Sequence, residues 1–188
     1  SNDAESDCSD CSAGTWSSSS GLDASSKCTS CAAGTYFEQG GQTSNVCIGC
    51  GSGKYSSAAG MDAESKCIVC GVGTSVAGTG SDVEWSCVAC ATGKYSSSSD
   101  VTCIDCGAGK YSIVVSPSND AESDCTECGS GKYSSALGVD AEWKCIVCGA
   151  GKSVAGTGSD AESSCVACAT GKYSSSSDVA CIDCGAGK

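Results

Sequence analysis

The 188-residue sequence contains no histidine and no arginine, and it has one proline, one methionine and one phenylalanine. The lack of histidine excludes histidine-based acid–base catalysis, and the lack of arginine excludes bidentate recognition of phosphate or carboxylate. Strongly apolar residues are scarce as well, because leucine, isoleucine, valine and phenylalanine together number 23, about 12% of the chain. A chain with so little apolar material cannot bury a single large core.

Positive charge is also in short supply. All ten basic residues are lysine and the net charge is −12, whereas nucleic acids and anionic lipids are bound by clustered basic residues. The longest strongly apolar run, Ile113 to Val115, is far too short to span a bilayer. We therefore expect neither nucleic-acid binding nor membrane insertion in this segment. Residues 181–188 copy residues 103–110, where the chain continues, so we expect the natural polypeptide to extend past Lys188.

Cysteine is what the chain has in abundance. Its 20 cysteines form ten C-x-x-C pairs, and successive pairs start 16 to 22 residues apart. The second cysteine of every pair is followed by x-x-Gly, and in seven of nine copies an aromatic residue stands two positions after that glycine. Cysteine at this density is typical of a scaffold held together by covalent cross-links.

A longer repeat unit is made of several of these short modules. Residues 50–110 and 128–188 are identical at 53 of 61 positions, and none of the differences touches a cysteine or a glycine. The sequence thus divides into divergent cysteine-rich modules over residues 1–49, a four-module repeat unit over 50–127, and a truncated second copy over 128–188. Modules of about 20 residues run throughout.

Each module predicts a hairpin. The G-K-Y-S segment has strand composition, the middle is rich in turn-forming serine, glycine and aspartate, and the return segment such as residues 66–70 is the most β-prone piece. The D-A-E-x-x-C motif predicts one helical turn before the cysteine. The expected fold class is small disulfide-rich repeats, arranged as an elongated rod of tandem short β-hairpin modules with little or no helix.

The repeat favours a sequential disulfide ladder, in which each second cysteine bonds the first cysteine of the next pair. A crossed scheme, such as Cys8–Cys28 with Cys11–Cys31, stays open as the alternative. Cys8 and Cys184 would pair with modules outside this segment. The predicted bonds are Cys11–Cys28, Cys31–Cys47, Cys50–Cys67, Cys70–Cys87, Cys90–Cys103, Cys106–Cys125, Cys128–Cys145, Cys148–Cys165 and Cys168–Cys181.

One bridge that closes a loop of ~15 residues stabilises a fold by roughly 3 kcal/mol, a minor share of what ordering a whole module requires. We therefore expect hydrogen bonds, together with contacts of tyrosine, valine and isoleucine between neighbouring modules, to supply the remainder. Modules should stack on one another and be unstable in isolation.

Two other uses of the cysteines compete with the ladder. The spacing C-x2-C-x16-C-x2-C is compatible with four-cysteine zinc sites. Five such sites would each add two negative charges and take the chain from −12 to −22, with only ten lysines to offset them. Redox catalysis by C-x-x-C is typically found once or twice on a specific scaffold rather than ten times on a repeat. The ladder is the preferred interpretation, and we expect no enzyme activity.

The unit C-x-x-C-x-x-G-x-Y-S…C-x-x-C, clearest over residues 50–70, resembles the ephrin-receptor-like cysteine-rich repeats, relatives of EGF-like and tumour-necrosis-factor-receptor-like modules. The resemblance covers essentially the whole chain. It implies a bond from the cysteine before x-x-G-x-Y to the next cysteine downstream, which agrees with the ladder. It also implies an extracellular or cell-surface location. Arrays of this kind are similar to large algal or protist surface proteins and to flagellar hair (mastigoneme) proteins.

Serine runs and paired acids are the remaining candidate sites. The three tetraserine loops are predicted either as flexible polar turns or as O-glycosylation sites. The D-x-E motifs are predicted as a solvated acidic face, with weak Ca²⁺ binding as the alternative and no other cofactor. The candidate glycan acceptors are Ser17, Ser18, Ser19, Ser20, Ser96, Ser97, Ser98, Ser99, Ser174, Ser175, Ser176 and Ser177. The motifs are Asp62/Glu64, Asp82/Glu84, Asp120/Glu122, Asp140/Glu142 and Asp160/Glu162.

These features together predict a structural glycoprotein: an extracellular disulfide-stapled rod that forms part of a filament, fibril or surface appendage. Its expected partners are other copies of itself or other filament subunits, because repeated surfaces that meet heterologously generate open filaments. The alternative is a receptor ectodomain stalk or a ligand-binding cysteine-rich array, which would require a module whose surface residues diverge. A multi-zinc protein ranks third.

Overall fold

The architecture is a tandem series of very short β-hairpins, seen in a computed structural model that describes residues 9–20, 22, 24–97, 102–113, 119–176 and 179–187. These residues contain nine antiparallel hairpins whose strands are two residues long. In chain order they pair Thr15–Trp16 with Thr29–Ser30, Thr35–Tyr36 with Ile48–Gly49, Lys54–Tyr55 with Ile68–Val69, Thr74–Ser75 with Val88–Ala89, Lys94–Tyr95 with Ile104–Asp105, Lys110–Tyr111 with Thr126–Glu127, Lys132–Tyr133 with Ile146–Val147, Lys152–Ser153 with Val166–Ala167, and Lys172–Tyr173 with Ile182–Asp183.

The only helical elements among these residues are 3-10 helices of one turn, and each lies directly before the first cysteine of a pair. In the third module the turn is closed by the amide of Cys67, which donates to the carbonyl of Glu64 at 2.9 Å. The six helices are Ser25–Lys27, Glu64–Lys66, Glu84–Ser86, Glu122–Asp124, Glu142–Lys144 and Glu162–Ser164. The predicted fold class of disulfide-rich hairpin repeats with little helix is confirmed, and so is the single turn predicted for D-A-E-x-x-C.

Nine disulfides link the hairpins. Each joins the second cysteine of one pair to the first cysteine of the next, so the chain adopts the sequential ladder and not the crossed scheme. Cys184 is exposed and unpaired among the described residues, and Cys8 lies outside them. The bonds are Cys11–Cys28, Cys31–Cys47, Cys50–Cys67, Cys70–Cys87, Cys90–Cys103, Cys106–Cys125, Cys128–Cys145, Cys148–Cys165 and Cys168–Cys181.

The described interior consists mainly of cysteine and serine side chains, with Met61, Val76, Val139 and Asn119 among them. In one buried cluster, Cys50 and Cys67 pack with Met61, and Tyr36 covers them. The serine that follows the aromatic residue of a module is also buried, and Ser96 is completely inaccessible. The buried serines at this position are Ser17, Ser56, Ser96, Ser112, Ser134 and Ser174. A serine side chain is small enough to leave room for the neighbouring module, which explains why Y-S recurs.

Within each of the two parts of the chain, residues 9–88 and 89–187, backbone hydrogen bonds join neighbouring modules among the described residues. In the first modules the amide of Gly14 donates to the carbonyl of Phe37 at 2.7 Å, and the amide of Phe37 donates to the carbonyl of Met61 at 3.0 Å. The amide of Gly60 in turn donates to the carbonyl of Cys31 at 2.8 Å. Equivalent bonds recur further along the chain. For example, the amides of Gly109, Ser112 and Gly138 donate to the carbonyls of Ser134, Val139 and Cys106, respectively. The predicted hydrogen bonds between neighbouring modules are therefore confirmed, and they are formed by the main chain.

The repeated spacing between the second cysteine of each pair and the glycine three residues later has a steric cause. Gly34 has φ +77°, and a Cβ built there would overlap the carbonyl group of Gly80, two modules further on. Only glycine combines that left-handed backbone with such a close approach.

The isoleucine and valine side chains between paired cysteines are largely exposed, since Ile68 is 50% exposed and Val88 is 62% exposed. The cysteines that flank a strand, such as Cys67 and Cys70, are buried instead. Valines elsewhere in the modules, Val76 and Val139, are buried. Contacts of valine and isoleucine between modules stay a prediction.

The structure separates into two compact units, residues 1–88 and 89–188. The division into 1–49, 50–127 and 128–188 describes the sequence repeat and stays a prediction, as does the rod. No helix among the described residues is both long and apolar enough to cross a membrane.

Candidate functional site: hairpin faces and one divergent cleft

Five of the ten acidic side chains of the D-x-E motifs bind lysine. Lys54 Nζ lies 3.0 Å from Glu64 Oε1, across the hairpin of the third module, and Lys66 Nζ lies 2.6 Å from Asp62 Oδ1 within its 3-10 turn. The equivalent pairs are Lys110–Glu122, Lys132–Glu142 and Lys144–Asp140. In the two short modules, which lack the motif, the same lysine turns to the aspartate of I-D-C, giving Lys94–Asp105 and Lys172–Asp183.

Charge pairing also sets the direction of the resolved pKa shifts. The hydrogen bond from Lys66 lowers the pKa of Asp62, and the one from Lys144 lowers the pKa of Asp140. The carboxylate of Glu122 raises the pKa of Lys110. Each shift favours the charged form at neutral pH, as expected for surface ion pairs rather than for groups that exchange protons in a reaction.

Within the described ranges, no group of three or more histidine, cysteine, aspartate or glutamate side chains lies close enough together to hold a metal ion. The motif Asp62/Glu64 shows why a D-x-E pair is a poor cation site here, since both carboxylates already bind lysine. Weak Ca²⁺ binding stays a prediction.

The candidate glycan acceptors fall into two classes. Ser17, Ser96 and Ser174 are buried, and the hydroxyl of Ser174 donates to the carbonyl of Lys152 at 2.9 Å. A buried hydroxyl is a poor acceptor in the folded protein, and glycosylation of the candidate serines stays a prediction. Ser97 is half-buried, whereas the remaining described candidates are exposed: Ser18, Ser19, Ser20, Ser175 and Ser176. Ser98, Ser99 and Ser177 lie outside the described residues.

The hairpins repeat one apolar face. Tyr55 lies opposite Ile68 across its hairpin, and Tyr133 lies opposite Ile146 in the second copy of the repeat. In each pair the tyrosine is half-buried while the isoleucine is about half-exposed. We call these cross-strand pairs the tyrosine–isoleucine faces. The others are Tyr36–Ile48, Tyr95–Ile104 and Tyr173–Ile182. Sequence reasoning identified the tyrosines as packing residues but placed the isoleucines inside.

Two tryptophans project further into solvent than any of these residues. Trp85 is 82% exposed and Trp143 is 79% exposed, each on the 3-10 turn of its module. Lys144 Nζ lies 5.4 Å from the centre of the Trp143 ring. Because one repeat copy has serine where the other has tryptophan, these rings are not part of the repeated face.

A cleft of about 350 Å³ breaks the repetition at the second hairpin. Phe37 stands there in place of the buried serine, and it lines the cleft with Tyr36, Glu38 and Ile48. Gln39 and Glu64 complete the lining. The sequence signal for this site is the change from Y-S to Y-F-E-Q in a single module, which the search for repeated features passed over.

No family model matches the chain, and no curated protein matches it significantly. The likeness to ephrin-receptor-like repeats therefore depends on the cysteine, glycine and tyrosine spacing alone.

Proposed function

We propose that this protein is a structural component of an extracellular filament, fibril or surface appendage. The observation that carries the proposal is the repetition of one tyrosine–isoleucine face along a disulfide-linked series of hairpins. A surface that recurs in five of the nine described hairpins can bind the matching surface of another copy at several points at once, and the weak contacts then add up. Other copies, or other subunits of the same filament, are the proposed partners.

Location and modification belong to the same proposal. Nine disulfides are typical of an extracellular or secreted protein, because they persist in oxidising environments. Attachment to a cell surface or appendage is the finer proposal. We place O-linked glycans on the exposed serines Ser18 to Ser20, Ser175 and Ser176, where they would cover the polar loops. The chain has no catalytic role in this proposal.

Self-association tests the proposal directly. The oxidised full chain is examined by sedimentation velocity over a range of concentrations and by electron microscopy, and we expect concentration-dependent oligomers or fibrils. The double variant Ile68→Thr, Ile146→Thr should weaken association several-fold, because threonine removes exposed apolar surface. Threonine already occupies this position at Thr29 and Thr126, so the hairpins should still form.

Val72→Ala is the matched control. Val72 is also exposed but lies away from the hairpin strands, and Ala150 occupies the same place in the second repeat. It should leave association unchanged. A chain that stays monomeric at every concentration, or an isoleucine variant that associates like the wild type, would contradict the proposal.

A ligand-binding array or receptor stalk is the second candidate function. It is favoured by one observation, the divergent cleft around Phe37, because a binding site requires a module that differs from its neighbours. A multi-zinc protein is less compatible with the structure, since 18 of the 20 cysteines are in disulfides. Elemental analysis of the purified protein measures zinc directly.

A further inference from the structure

The cleft at the second hairpin has the dimensions and the walls of a ligand site. Its volume of about 350 Å³ falls within the range of small-molecule pockets, roughly 300–1,000 Å³. Tyr36 and Ile48 are cross-strand partners and form one wall, and Phe37 forms a second. Glu64 reaches the cleft from the 3-10 turn of the third module. Its lining is mixed and more polar than apolar, because the side chains of Glu38, Gln39 and Glu64 stand beside the aromatic and aliphatic ones.

The backbone that carries these side chains is held on both sides. The carbonyl of Phe37 accepts a hydrogen bond from the amide of Gly14 in the first module. The amide of Phe37 donates a hydrogen bond to the carbonyl of Met61 in the third module. The amide of Thr35 donates to the carbonyl of Ala32 at 3.0 Å. Three consecutive modules thus fix one short strand. A site built on such a strand needs little reorganisation to bind a ligand.

Charge selects the kind of ligand. Glu64 is paired with Lys54 at 3.0 Å, but no described lysine lies within ion-pair distance of Glu38, which is exposed at the edge of the cleft. The faces of tyrosine and phenylalanine attract cations, and a chain with a net charge of −12 raises the local concentration of cations. We propose that this cleft binds a primary alkylammonium group, with the alkyl stem against Phe37 and Ile48 and the ammonium at Glu38.

The lysine side chain is the common source of that group in proteins, and a second copy of this chain can supply one. Lys152 is exposed, and no carboxylate among the described residues lies within ion-pair distance of it. Its counterparts Lys54 and Lys132 are both paired across their hairpins. A contact between Lys152 of one copy and the cleft of another joins two different surfaces, and such a contact builds an open chain unless its rotation closes a ring. This source of the ammonium depends on the proposed function, whereas the cleft itself does not.

Binding is tested first with small ligands. The chain is titrated with N-acetyl-lysine methylamide and followed by ¹H–¹⁵N NMR at a concentration where it is monomeric. We expect saturable shifts confined to residues 36–39, 48 and 64. The neutral isostere N-acetyl-norleucine methylamide should bind several-fold more weakly, because it lacks the charge.

Two variants locate the site. Glu38→Gln removes the charge, and Phe37→Ser restores the residue found in six other modules, so neither should disturb the fold. Each should weaken binding of the lysine analogue about twofold to fivefold, as expected for the loss of one exposed ion pair at Glu38 or one partly exposed apolar contact at Phe37. Glu84→Gln, an equal charge change on another turn, should leave binding unaltered. Equal binding of the lysine and norleucine analogues, no effect of either cleft variant, or larger shifts with a neutral methyl glycoside would overturn the proposal.

The source of the ammonium is tested separately by sedimentation velocity. If a second copy supplies it, Lys152→Gln should reduce self-association as Glu38→Gln does, and Lys152→Arg should retain it. If Lys152→Gln associates normally while the lysine analogue still binds, the cleft is an ammonium site for another molecule and the proposal holds in that form. A failure to form filaments does not bear on the NMR result, so the two proposals fail independently.

Discussion

At the scale of single residues, the glycine two positions before the aromatic residue shows how strictly stacking constrains the sequence. The backbone there has positive φ in every described module, and at Gly34 a Cβ would meet the carbonyl of Gly80. Gly151 has the same backbone but open space around it, and Gly71 has neither constraint. These three glycines therefore separate two effects of an added Cβ: backbone strain at positive φ, and collision with the backbone of another module.

The three alanine variants should differ in a fixed order. Gly71→Ala should change the free energy of unfolding by no more than about 0.5 kcal/mol, as at an ordinary surface position. Gly151→Ala should cost about 1–2 kcal/mol, because an L-residue is strained at positive φ. Gly34→Ala should cost more than Gly151→Ala, because the backbone of another module must also move. Guanidinium denaturation with the disulfides intact measures all three, and equal losses at Gly34 and Gly151 would refute the role assigned to the close approach.

At the scale of elements, hairpins, turns and disulfides followed from the sequence because each is set by local chemistry. The spacing of cysteines and glycines specifies where a strand can start, and D-A-E before Cys67 encodes a turn that needs only three residues. Which side chains point into the interior could not be predicted from the sequence in the same way. Isoleucine at position 68 looks like a core residue by composition, yet the cysteines on either side of the strand take the interior.

The buried serines were missed for a related reason. Ser56 and Ser112 lie in segments with the composition of a polar turn. Their side chains are buried only because the next module packs against them. Burial of this kind depends on contacts about 25 residues away in sequence, for example between Ser56 and Ser81, which no local pattern reports. The cleft at Phe37 escaped notice because repeat analysis gives most weight to what recurs.

Removing one disulfide tests how far its effect spreads. The double variant Cys50→Ser, Cys67→Ser opens a loop with a sequence separation of 17 residues and should cost roughly 3 kcal/mol of stability. Because hydrogen bonds run to adjacent modules, amide exchange should accelerate in the hairpin of Tyr55 and Ile68 and in the modules on either side. The fifth hairpin and those beyond it should keep their protection. Uniform loss of protection along residues 1–88 would mean that the unit unfolds as one body.

At the scale of the whole molecule, covalent bonds replace the apolar core that the sequence cannot build. Full reduction and alkylation should therefore abolish the fold. We expect the hairpin amides to lose their protection from hydrogen exchange and the radius of gyration to rise, as measured by small-angle X-ray scattering. A sample incubated with alkylating reagent but no reductant is the control. A reduced chain that stays as compact as the oxidised one would contradict this account of stability.

The sequential pairing of cysteines also determines how the molecule responds to pulling. Tension applied between Cys11 and Cys181 passes through each disulfide, whose Cα atoms lie 5.6 to 5.8 Å apart, and then along the two residues of C-x-x-C to the next. Three extended residue steps span about 10 Å, whereas an unbridged module of 20 residues would lengthen to about 70 Å. The intervening loops carry no load, so even a fully unravelled segment lengthens to only about 16 Å per module. A fibre made of such chains could not be stretched beyond this length without breaking a covalent bond.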